Sequence, residues 1–527
     1  MIQACEIKQN AKRILRCVAH PQQYFVAALW ISIGGFLNGY DTGSIGAITD
    51  MPTFQSGIAF LSPTLRGLTV SLLLLAGAIP SLFAGLLADK YGHLAIVLTG
   101  AIFFTVGAVL EAGTMNLAML LVGRSLVGIG EGLYLGNLNV YICEIAPKTR
   151  RGMLVAMPQL FVTAGTCCGY FTCYGTIKID SEMQWRIPFI IQAVGGAILA
   201  VVCCLLPESP RWLLVRAKRD VAIRNLERLD LPQSELLNES DELNLEDPNT
   251  NASGPSDRLT LQPIFSKSAV LDLFRKQYRF RTVLALFILG MVQLCGIDGV
   301  LYYAPMLFAQ AGLPGATASF VASGVSGTLM FAISIPAFLM ADKYGRRTIV
   351  VFGGVLLAGC MVLIGGLYAS GSVSADGGAG RWVVIVLIFV FALSYVSTWG
   401  IVGKIYASEI QPAHNRATAN ALAQALNFFT NFLTAIITPI FLARSSSGPY
   451  FLFAGLTALT LVVLWLWMPE TRARSLESIQ ETFTPPMTSV WRKAKSSIRQ
   501  RVRPSSTNGS HESIQHMGQA STGIELS

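Results

Sequence analysis

The five residues Ala88–Gly92 (ADKYG) directly follow an apolar run, and the same five letters occur again at Ala341–Gly345 after a later apolar run. Two further motifs repeat at the ends of apolar runs: Glu144–Pro147 with Glu409–Pro412, and Pro207–Ser209 with Pro469–Thr471. The three offsets are 253, 265 and 262 residues. Three repeats at nearly one offset indicate two homologous halves.

Long apolar runs make up most of the chain. Of the 527 residues 52% are hydrophobic and 13% are charged, too few charges to cover the surface of a soluble protein of this length. The runs are about 20 residues long, which is the length that crosses the hydrocarbon core of a bilayer. We expect twelve spans, near 24–45, 67–88, 94–114, 117–140, 154–176, 185–206, 281–306, 317–341, 348–369, 382–407, 417–443 and 449–468. The pattern predicts an all-α membrane protein with twelve transmembrane helices in two pseudo-symmetric six-helix halves.

The charges between and beyond the runs predict the topology. Lys and Arg are more frequent in the loops on one side, which places both termini in the cytoplasm of a multi-pass protein, expected in the plasma membrane. Because much of the net charge of +9 lies in segments that flank the membrane, it requires no nucleic-acid partner. A short amphipathic helix is expected at Asp220–Leu231. The expected segments are a tail (1–23), the first half (24–207), a cytoplasmic loop (208–280), the second half (281–468) and a basic, then Ser-rich tail (469–527).

Two halves around a central cavity are the architecture of an alternating-access carrier. All the repeated motifs fall at the predicted cytoplasmic ends of helices, where their charges either latch the cytoplasmic gate or only fix the helix ends. The residues concerned are Asp89, Glu144, Arg151, Glu208 and Arg211 in the first half, and Asp342, Arg346, Glu409, Arg416 and Glu470 in the second. His93 occupies the place of Arg346, so we expect the first network to be weaker and sensitive to pH.

Several motifs resemble those of the sugar porter family of the major facilitator superfamily, over roughly residues 25–480. They are Gly39–Gly43 (GYDTG), Gly123–Arg124, Pro207–Trp212 (PESPRW), Gln293 with Gly296 and Tyr302–Tyr303, and Pro469–Thr471. The overall pattern looks most like fungal members. The resemblance implies the major facilitator fold and a monosaccharide as substrate.

In proton-coupled sugar porters, the residues that match Asp41 and Arg124 form an ion pair. The resemblance therefore implies that Asp41 takes up and releases the proton and that Arg124 sets its affinity for it. A fixed salt bridge in an uncoupled facilitator is the alternative. Glu131 lies two helical turns beyond Arg124 on about the same face and can compete for its guanidinium; the family does not usually place a carboxylate there.

The resemblance also implies a sugar pocket built from amide, hydroxyl and aromatic groups. The matching positions are Gln159, Gln293, Tyr302, Gly400 and Gln424. Asp298 replaces an asparagine of the family, and Lys404 replaces a tryptophan. Because either charge alone is costly inside a membrane, we expect the two to compensate each other. The alternative is that Lys404 binds the carboxylate of a sugar acid.

The predicted function is uptake of a hexose or pentose with a proton. An uncoupled facilitator, a sugar-acid transporter and a nutrient sensor of the same fold remain as alternatives. We expect no enzyme, since no nucleophile–base constellation or phosphate-cradling loop occurs outside the spans. The cysteines sit mostly in apolar runs without a His cluster, so no metal or other cofactor is expected. The expected partners are the sugar, the proton and the lipid bilayer, with a monomer as functional unit.

Overall fold

The computed structural model describes residues 22–58, 60–147, 150–231, 273–275, 278–313, 316–340, 345–373, 378–410 and 416–470, without the side chains of residues 316, 317, 339, 340, 404, 405, 408, 409, 416 and 417. Every long regular element in these ranges is an α-helix. Eleven helices in the described ranges are long and apolar enough to cross a membrane. A broken helix at the start of the first half brings the number of spans to the predicted twelve.

The first half contains six spans in chain order. They are span 1 (Gln23–Ile31 and Ile33–Thr49), span 2 (Pro63–Tyr91), span 3 (His93–Ala112), span 4 (Leu117–Ile145), span 5 (Arg151–Val155 and Met157–Thr176) and span 6 (Met183–Leu205). Three short helices lie outside them: Pro52–Gly57, Pro210–Val215 and Arg219–Arg228. The last of these was predicted to reach Leu231 but ends earlier, because Asp230 adopts a positive φ of 55° that no helix can continue.

The second half contains the other six spans. They are span 7 (Arg279–Gln293, Ile297–Tyr302 and Ala304–Gln310), span 8 (Ala316–Met340), span 9 (Arg346–Ala369), span 10 (Ala379–Ser397 and Trp399–Glu409), span 11 (Arg416–Arg444) and span 12 (Gly448–Trp467). Successive spans run in opposite directions. We call the two ends of the bundle the Asp50 end and the Asp89 end, after residues at the ends of spans 1 and 2.

Spans 1, 7 and 10 were predicted as continuous and are broken. The hydroxyl of Ser32 donates to the carbonyl of Ala28 at 2.6 Å, a bond that competes with the backbone ladder of span 1. Gly296 interrupts span 7 with a φ of 92°, which favours glycine, and a Cβ there would lie 2.6 Å from the ring of Phe453. Thr398 breaks span 10 with φ −125° and ψ −79°. Hydropathy detects the length of such a span and not its interruption.

Glycines bring span 1 into backbone contact with span 5. A Cβ added to Gly39 would overlap the carbonyl oxygen of Val162 on span 5. Gly35 and Gly43, one turn before and after it, lie against span 5 in the same way. Small residues four apart let two membrane helices approach closely. Asp41 follows Gly39 by two residues, about 200° around the helix, and is therefore directed away from span 5.

The two halves touch at the Asp50 end. A Cβ on Gly46 of span 1 would overlap the carbonyl oxygen of Tyr302 on span 7. Tyr170 of span 5 donates its hydroxyl to the carbonyl of Leu301 at 2.5 Å. These contacts leave little space between the halves at this end.

Candidate functional site

Arg124 and Asp41 form an ion pair inside the first half. Nη1 of Arg124 lies 2.5 Å from Oδ1 of Asp41, and Nη2 lies 3.1 Å from Oδ2. The side chains are 0% and 2% exposed. Two parallel hydrogen bonds between a guanidinium and a carboxylate give a strong and directional contact. Because neither charge reaches water, a change of charge on one group leaves the other uncompensated.

Span 2 holds the other face of the guanidinium. Gly128 follows Arg124 by one helical turn and lies against the backbone of span 2 at Leu73. This close approach lets Nε of Arg124 donate to the carbonyl of Thr69 at 3.2 Å and Nη2 to that of Val70 at 3.1 Å. Backbone carbonyls of span 2 therefore hold the arginine in addition to the carboxylate of Asp41.

Gln192 on span 6 completes the surroundings of Asp41. Its Nε2 lies 3.1 Å from Oδ1 of Asp41 and 3.3 Å from the hydroxyl of Ser44. Asp41 therefore accepts hydrogen bonds from two different spans. Such bonds favour the charged form of a carboxyl group, while burial opposes it.

Two more carboxyl groups lie beside this pair. Glu111, at the end of span 3, is wholly buried, and its Oε1 lies 3.9 Å from Nη1 of Arg124. Glu131 on span 4 is also wholly buried, and Nδ2 of Asn38 donates to its two oxygens at 3.3 and 3.2 Å. Among the described side chains, this cluster contains three carboxyl groups, those of Asp41, Glu111 and Glu131, and one guanidinium, that of Arg124.

Gln293 on span 7 belongs to a polar network inside the second half. Its side-chain carbonyl accepts a hydrogen bond from the hydroxyl of Tyr395 at 3.4 Å. Its amide donates to Oδ1 of Asn427 on span 11 at 3.3 Å. Asn427 in turn donates to the carbonyl of Leu289 at 2.9 Å. Groups that both donate and accept are the ones that recognise sugar hydroxyls.

Two of the other predicted sugar contacts, Gln159 and Gln424, are half-buried. Gly400 is buried, and a Cβ there would lie 3.2 Å from the ring of Tyr395, so this glycine leaves room for the tyrosine of the network. Tyr302 is 3% exposed where spans 1 and 7 meet. Its carbonyl meets span 1 at Gly46, on the same helix as Asp41.

Asp298 is buried in the short middle helix of span 7, Ile297–Tyr302. The side chain of its predicted partner, Lys404, lies outside the part of the chain that the structure describes. The proposed pairing of Asp298 with Lys404 therefore stays a prediction.

At the Asp89 end, a glutamate after each half caps a helix. Oε1 of Glu208 accepts the backbone N–H of Leu94 at 3.4 Å, at the start of span 3. Glu470 accepts the N–H groups of Arg346 at 2.7 Å and Arg347 at 3.1 Å, at the start of span 9. A carboxylate there satisfies orphan N–H groups and complements the helix dipole. The repeated glutamates thus bond to backbone at matching places in the two halves.

The same symmetry holds for a tyrosine in each half. The hydroxyl of Tyr141 donates to the carbonyl of Pro207 at 2.8 Å, and that of Tyr406 donates to the carbonyl of Pro469 at 3.1 Å. Each bond ties the end of a span to the motif that follows the last span of its half.

The other repeated charges at this end are only partly described. Nε2 of His93 lies 3.3 Å from Oε1 of Glu144. The carbonyl of Asp89 accepts hydrogen bonds from Trp212 and Arg216, each at 2.8 Å. Two other members of the predicted first-half network are half-buried, namely Arg151 and Arg211. Three members of the second-half network lie outside the described residues or side chains, namely Asp342, Glu409 and Arg416.

Burial governs two carboxyl groups that lie outside the spans. It raises the pKa of Glu208, against the opposing effect of the N–H groups that Glu208 accepts. It also raises the pKa of Asp50, against the guanidinium of Arg66, whose Nη1 lies 2.6 Å away.

Sequence reasoning missed Gln192, Glu111 and Asn427. Each is a polar residue on an otherwise apolar helix, which is the signal that was available. The described residues contain no group of three or more His, Cys, Asp or Glu side chains placed to hold a metal ion.

The fold defines a membrane carrier of two six-span halves, and comparison with known proteins agrees. The chain is 31% identical to the MFS-type transporter criB of Aspergillus cristatus, covering 86% of this chain and 91% of that protein. It is 30% identical to the sugar transport protein MST7 of rice, covering 86% and 90%. It is also 30% identical to the high glucose sensor RGT2 of Saccharomyces cerevisiae, with 88% of this chain matched to 61% of that longer protein.

Among solved structures, the chain resembles the xylose transporter XylE of Escherichia coli in a partially occluded inward-open conformation. The TM-score is 0.70 at 21% identity, over 86% of this chain and 99% of that one. The family described as "Sugar (and other) transporter" matches residues 27–483. The chain therefore belongs to this family of multi-pass membrane transporters. The predicted family and the predicted major facilitator fold are both confirmed.

Proposed function

We propose that the chain carries a monosaccharide, a hexose or pentose, across the membrane together with a proton by alternating access. The buried pair of Asp41 and Arg124 is the observation that carries this proposal. Its bidentate geometry favours the charged carboxylate, and its complete burial favours the neutral acid. A rearrangement that loosens the pair therefore lets Asp41 bind a proton, and one that restores the pair releases it.

The sugar binds between the halves, at residues that the sequence pattern selects. The proposed contacts are Gln159, Gln293, Tyr302, Gly400 and Gln424, with Asp298 and Lys404 as a compensated pair beside them. The hydrogen-bonded network of Gln293, Tyr395 and Asn427 supports this assignment, because it places donors and acceptors on spans 7, 10 and 11 in one cluster. Tyr302 connects the sugar to Asp41 and Arg124.

The halves are closed at the Asp50 end, which we assign to the outside of the cell. Both termini then lie in the cytoplasm, with the protein in the plasma membrane as a monomer. The charged groups at the Asp89 end latch the cytoplasmic side when the carrier faces outward. In the other state the glutamates continue to cap spans 3 and 9.

Uptake in a transport-deficient cell line tests the proposal. Hexoses, pentoses, disaccharides and sugar acids are supplied with and without a protonophore. We expect accumulation of a neutral monosaccharide that the protonophore abolishes. Asp41→Asn should prevent uphill accumulation and keep exchange of labelled for unlabelled sugar, since Asn cannot carry the proton. Asp50→Asn, which alters an ion pair at the end of the bundle, is the matched control and should keep accumulation. Accumulation by Asp41→Asn would exclude Asp41 as the coupling group.

The similarity to a glucose sensor favours one alternative function. A sensor of this fold binds sugar and scarcely moves it. Absence of uptake of every sugar tested, by protein located at the cell surface, would make the sensor the leading hypothesis. A transcriptional response that is lost on deletion of the residues beyond Thr484, with uptake unchanged, would support it. Accumulation of a sugar acid would instead place Lys404 in the substrate site.

A further inference from the structure

Glu111 is one of two buried carboxyl groups beside the ion pair that the coupling scheme above does not use. It exposes 0% of its side chain, and neither of its oxygens has a hydrogen-bond partner among the described residues. The nearest cation is Arg124, whose Nη1 lies 3.9 Å from Oε1 of Glu111 and 2.5 Å from Asp41. Nη1 of Arg124 thus faces two carboxyl groups: it is hydrogen-bonded to that of Asp41 and lies near that of Glu111.

An ionised carboxylate in this position would be buried without a hydrogen bond, which costs several kcal/mol. Arg124 supplies one positive charge, and Asp41 already compensates it. A second negative charge at Glu111 and a third at Glu131 would have no counter-charge among the described residues of the cluster. Glu131 accepts hydrogen bonds from the amide of Asn38, whereas Glu111 accepts none from the residues that the structure describes.

Glu111 and Glu131 lie at different depths relative to Arg124. Glu111 is one residue from the end of span 3 at the Asp50 end. Arg124 is seven residues into span 4 from that same end, about 10 Å along the axis, and Glu131 is about 10 Å deeper. A Cβ added to Gly123, the residue before Arg124, would lie 2.7 Å from Cγ of Glu111. Glu111 therefore lies beside the ion pair, close to the last residues of span 3.

We propose that Glu111 is a second proton-binding group of this site, which holds a proton while Asp41 pairs with Arg124. When Asp41 takes that proton, Glu111 becomes the carboxylate that pairs with the guanidinium. In this step the O–H bond of Glu111 breaks and an O–H bond forms on Asp41, so the charge of the cluster does not change. A proton from the solution then restores Glu111. The inference rests on the proposed role of Asp41 and adds the group that delivers its proton.

The exchange keeps Arg124 paired throughout. Protonation of Asp41 alone would leave a buried guanidinium with backbone carbonyls as its remaining partners. The other charged or titratable groups near Glu111 are accounted for. Glu131 lies deeper on span 4, and Tyr302 lies where span 7 meets span 1 at Gly46. Arg186 of span 6 donates to the carbonyls of Ala112 and Thr114 at 2.8 and 3.1 Å.

Infrared spectroscopy of the purified full-length protein in detergent tests the inference without a substrate, through the carbonyl stretch of protonated carboxyl groups. Glu111→Gln should remove the contribution of one group. Asp41→Asn should remove the same contribution, although Asp41 itself carries no proton in this state. In this variant Glu111 pairs with Arg124 as a carboxylate, so Glu111 loses its proton and its carbonyl band. The double variant should lose no more than either single variant.

Glu182→Gln is the matched control, since Glu182 lies at the same end in an exposed pair with Arg186. Glu182→Gln should leave the carbonyl band of the protonated carboxyl groups unchanged. Glu131→Gln should retain the part of that band that disappears in Glu111→Gln. Thermal unfolding establishes that each variant is folded. If Glu111→Gln does not alter the band, Glu111 is ionised and the inference is wrong. If Asp41→Asn retains the Glu111 component, Glu111 does not take over the guanidinium, which also overturns it.

A transport measurement separates this inference from the proposed function. Protonophore-insensitive uptake by the unaltered protein would refute proton coupling, whatever the infrared result. Coupled uptake that Asp41→Asn abolishes, together with an unaltered band in Glu111→Gln, would retain the proposed function and remove only the role of Glu111.

Discussion

Gln192 and Asp41 lie on different spans, and Nε2 of the glutamine is 3.1 Å from Oδ1 of the aspartate. This is the same oxygen that Nη1 of Arg124 contacts at 2.5 Å. The amide therefore holds the carboxylate in the plane in which the guanidinium can bind both oxygens. A third span thereby takes part in the alignment of the ion pair.

Replacement of Gln192 by Leu should disturb that alignment. A hydrogen bond to a charged group contributes about 1.5–3 kcal/mol, so we expect the initial rate of coupled uptake to fall about tenfold or more. Exchange of labelled sugar should be less affected. The measurement is uptake by cells that carry equal amounts of protein at the surface. Gln184→Leu on the same span is the control, because Gln184 donates to the carbonyl of Ile177 at 2.8 Å, away from the pair. Unaltered uptake by Gln192→Leu would show that the bond is dispensable.

Asn427→Leu should weaken sugar binding. The substitution removes the acceptor of the Gln293 amide and the donor to the carbonyl of Leu289. Neutral hydrogen bonds contribute about 0.5–1.5 kcal/mol each, so we expect KM to rise about three- to tenfold with a smaller change in the maximal rate. Concentration-dependent uptake measures both. Asn139→Leu on span 4 is the control and should behave as the unaltered protein, since its amide contacts its own helix, at Leu135. An unchanged KM in Asn427→Leu would place the sugar elsewhere.

Gly39→Ala should prevent correct folding. The added methyl group would overlap the carbonyl oxygen of Val162, and both helices would have to separate. Gly136→Ala on span 4 is a matched control, because a Cβ at Gly136 meets nothing within 4 Å. We expect that control to keep or raise the unfolding temperature, since Ala favours a helix by about 1 kcal/mol over Gly. The yield of folded protein and its thermal unfolding in detergent measure both effects. Equal unfolding temperatures would contradict the contact.

The stability of the protein should depend on pH through Glu208. Burial raises the pKa of this carboxyl group above its ordinary value of 4.5, so the folded state binds the proton more tightly than the unfolded state. The resulting stabilisation is complete below the ordinary value and is lost as the pH rises through the raised one. We therefore expect the unfolding temperature to fall over that window, and to fall less in Glu208→Gln. Glu182→Gln should retain the full slope. Parallel slopes in all three proteins would exclude Glu208 as the cause.

Hydropathy and the internal repeats sufficed to predict the twelve spans and the two halves. Asp41 and Arg124 were found through family motifs, since nothing in the spacing of residues 41 and 124 says that their side chains meet. Glu111 was overlooked for a physical reason. In the sequence, a buried acidic residue near the end of an apolar helix looks the same as an acidic residue at the membrane surface. Only the packing of spans 3 and 4 shows that Glu111 is buried.

The repeated charges illustrate another limit of sequence reasoning. Glu208 and Glu470 were expected in networks of opposite charges, and the described hydrogen bonds of both go to backbone N–H groups at helix starts. A sequence shows that a position is charged but not whether its partner is a side chain or a peptide group. The side-chain partners of Lys404 stay a prediction.

The glycines of span 1 also decide which positions a mutant library can usefully vary. Where Gly35, Gly39 and Gly43 meet span 5, every residue larger than glycine is excluded by peptide carbonyl oxygens, which cannot rotate aside as side chains do. Random mutagenesis there would yield unfolded protein and no new selectivity. Glycines with open space beside them, such as Gly136, tolerate larger residues. The polar side chains around Gln293 and Asn427, where we propose that the sugar binds, are the places where a library can sample altered substrate preference in folded protein.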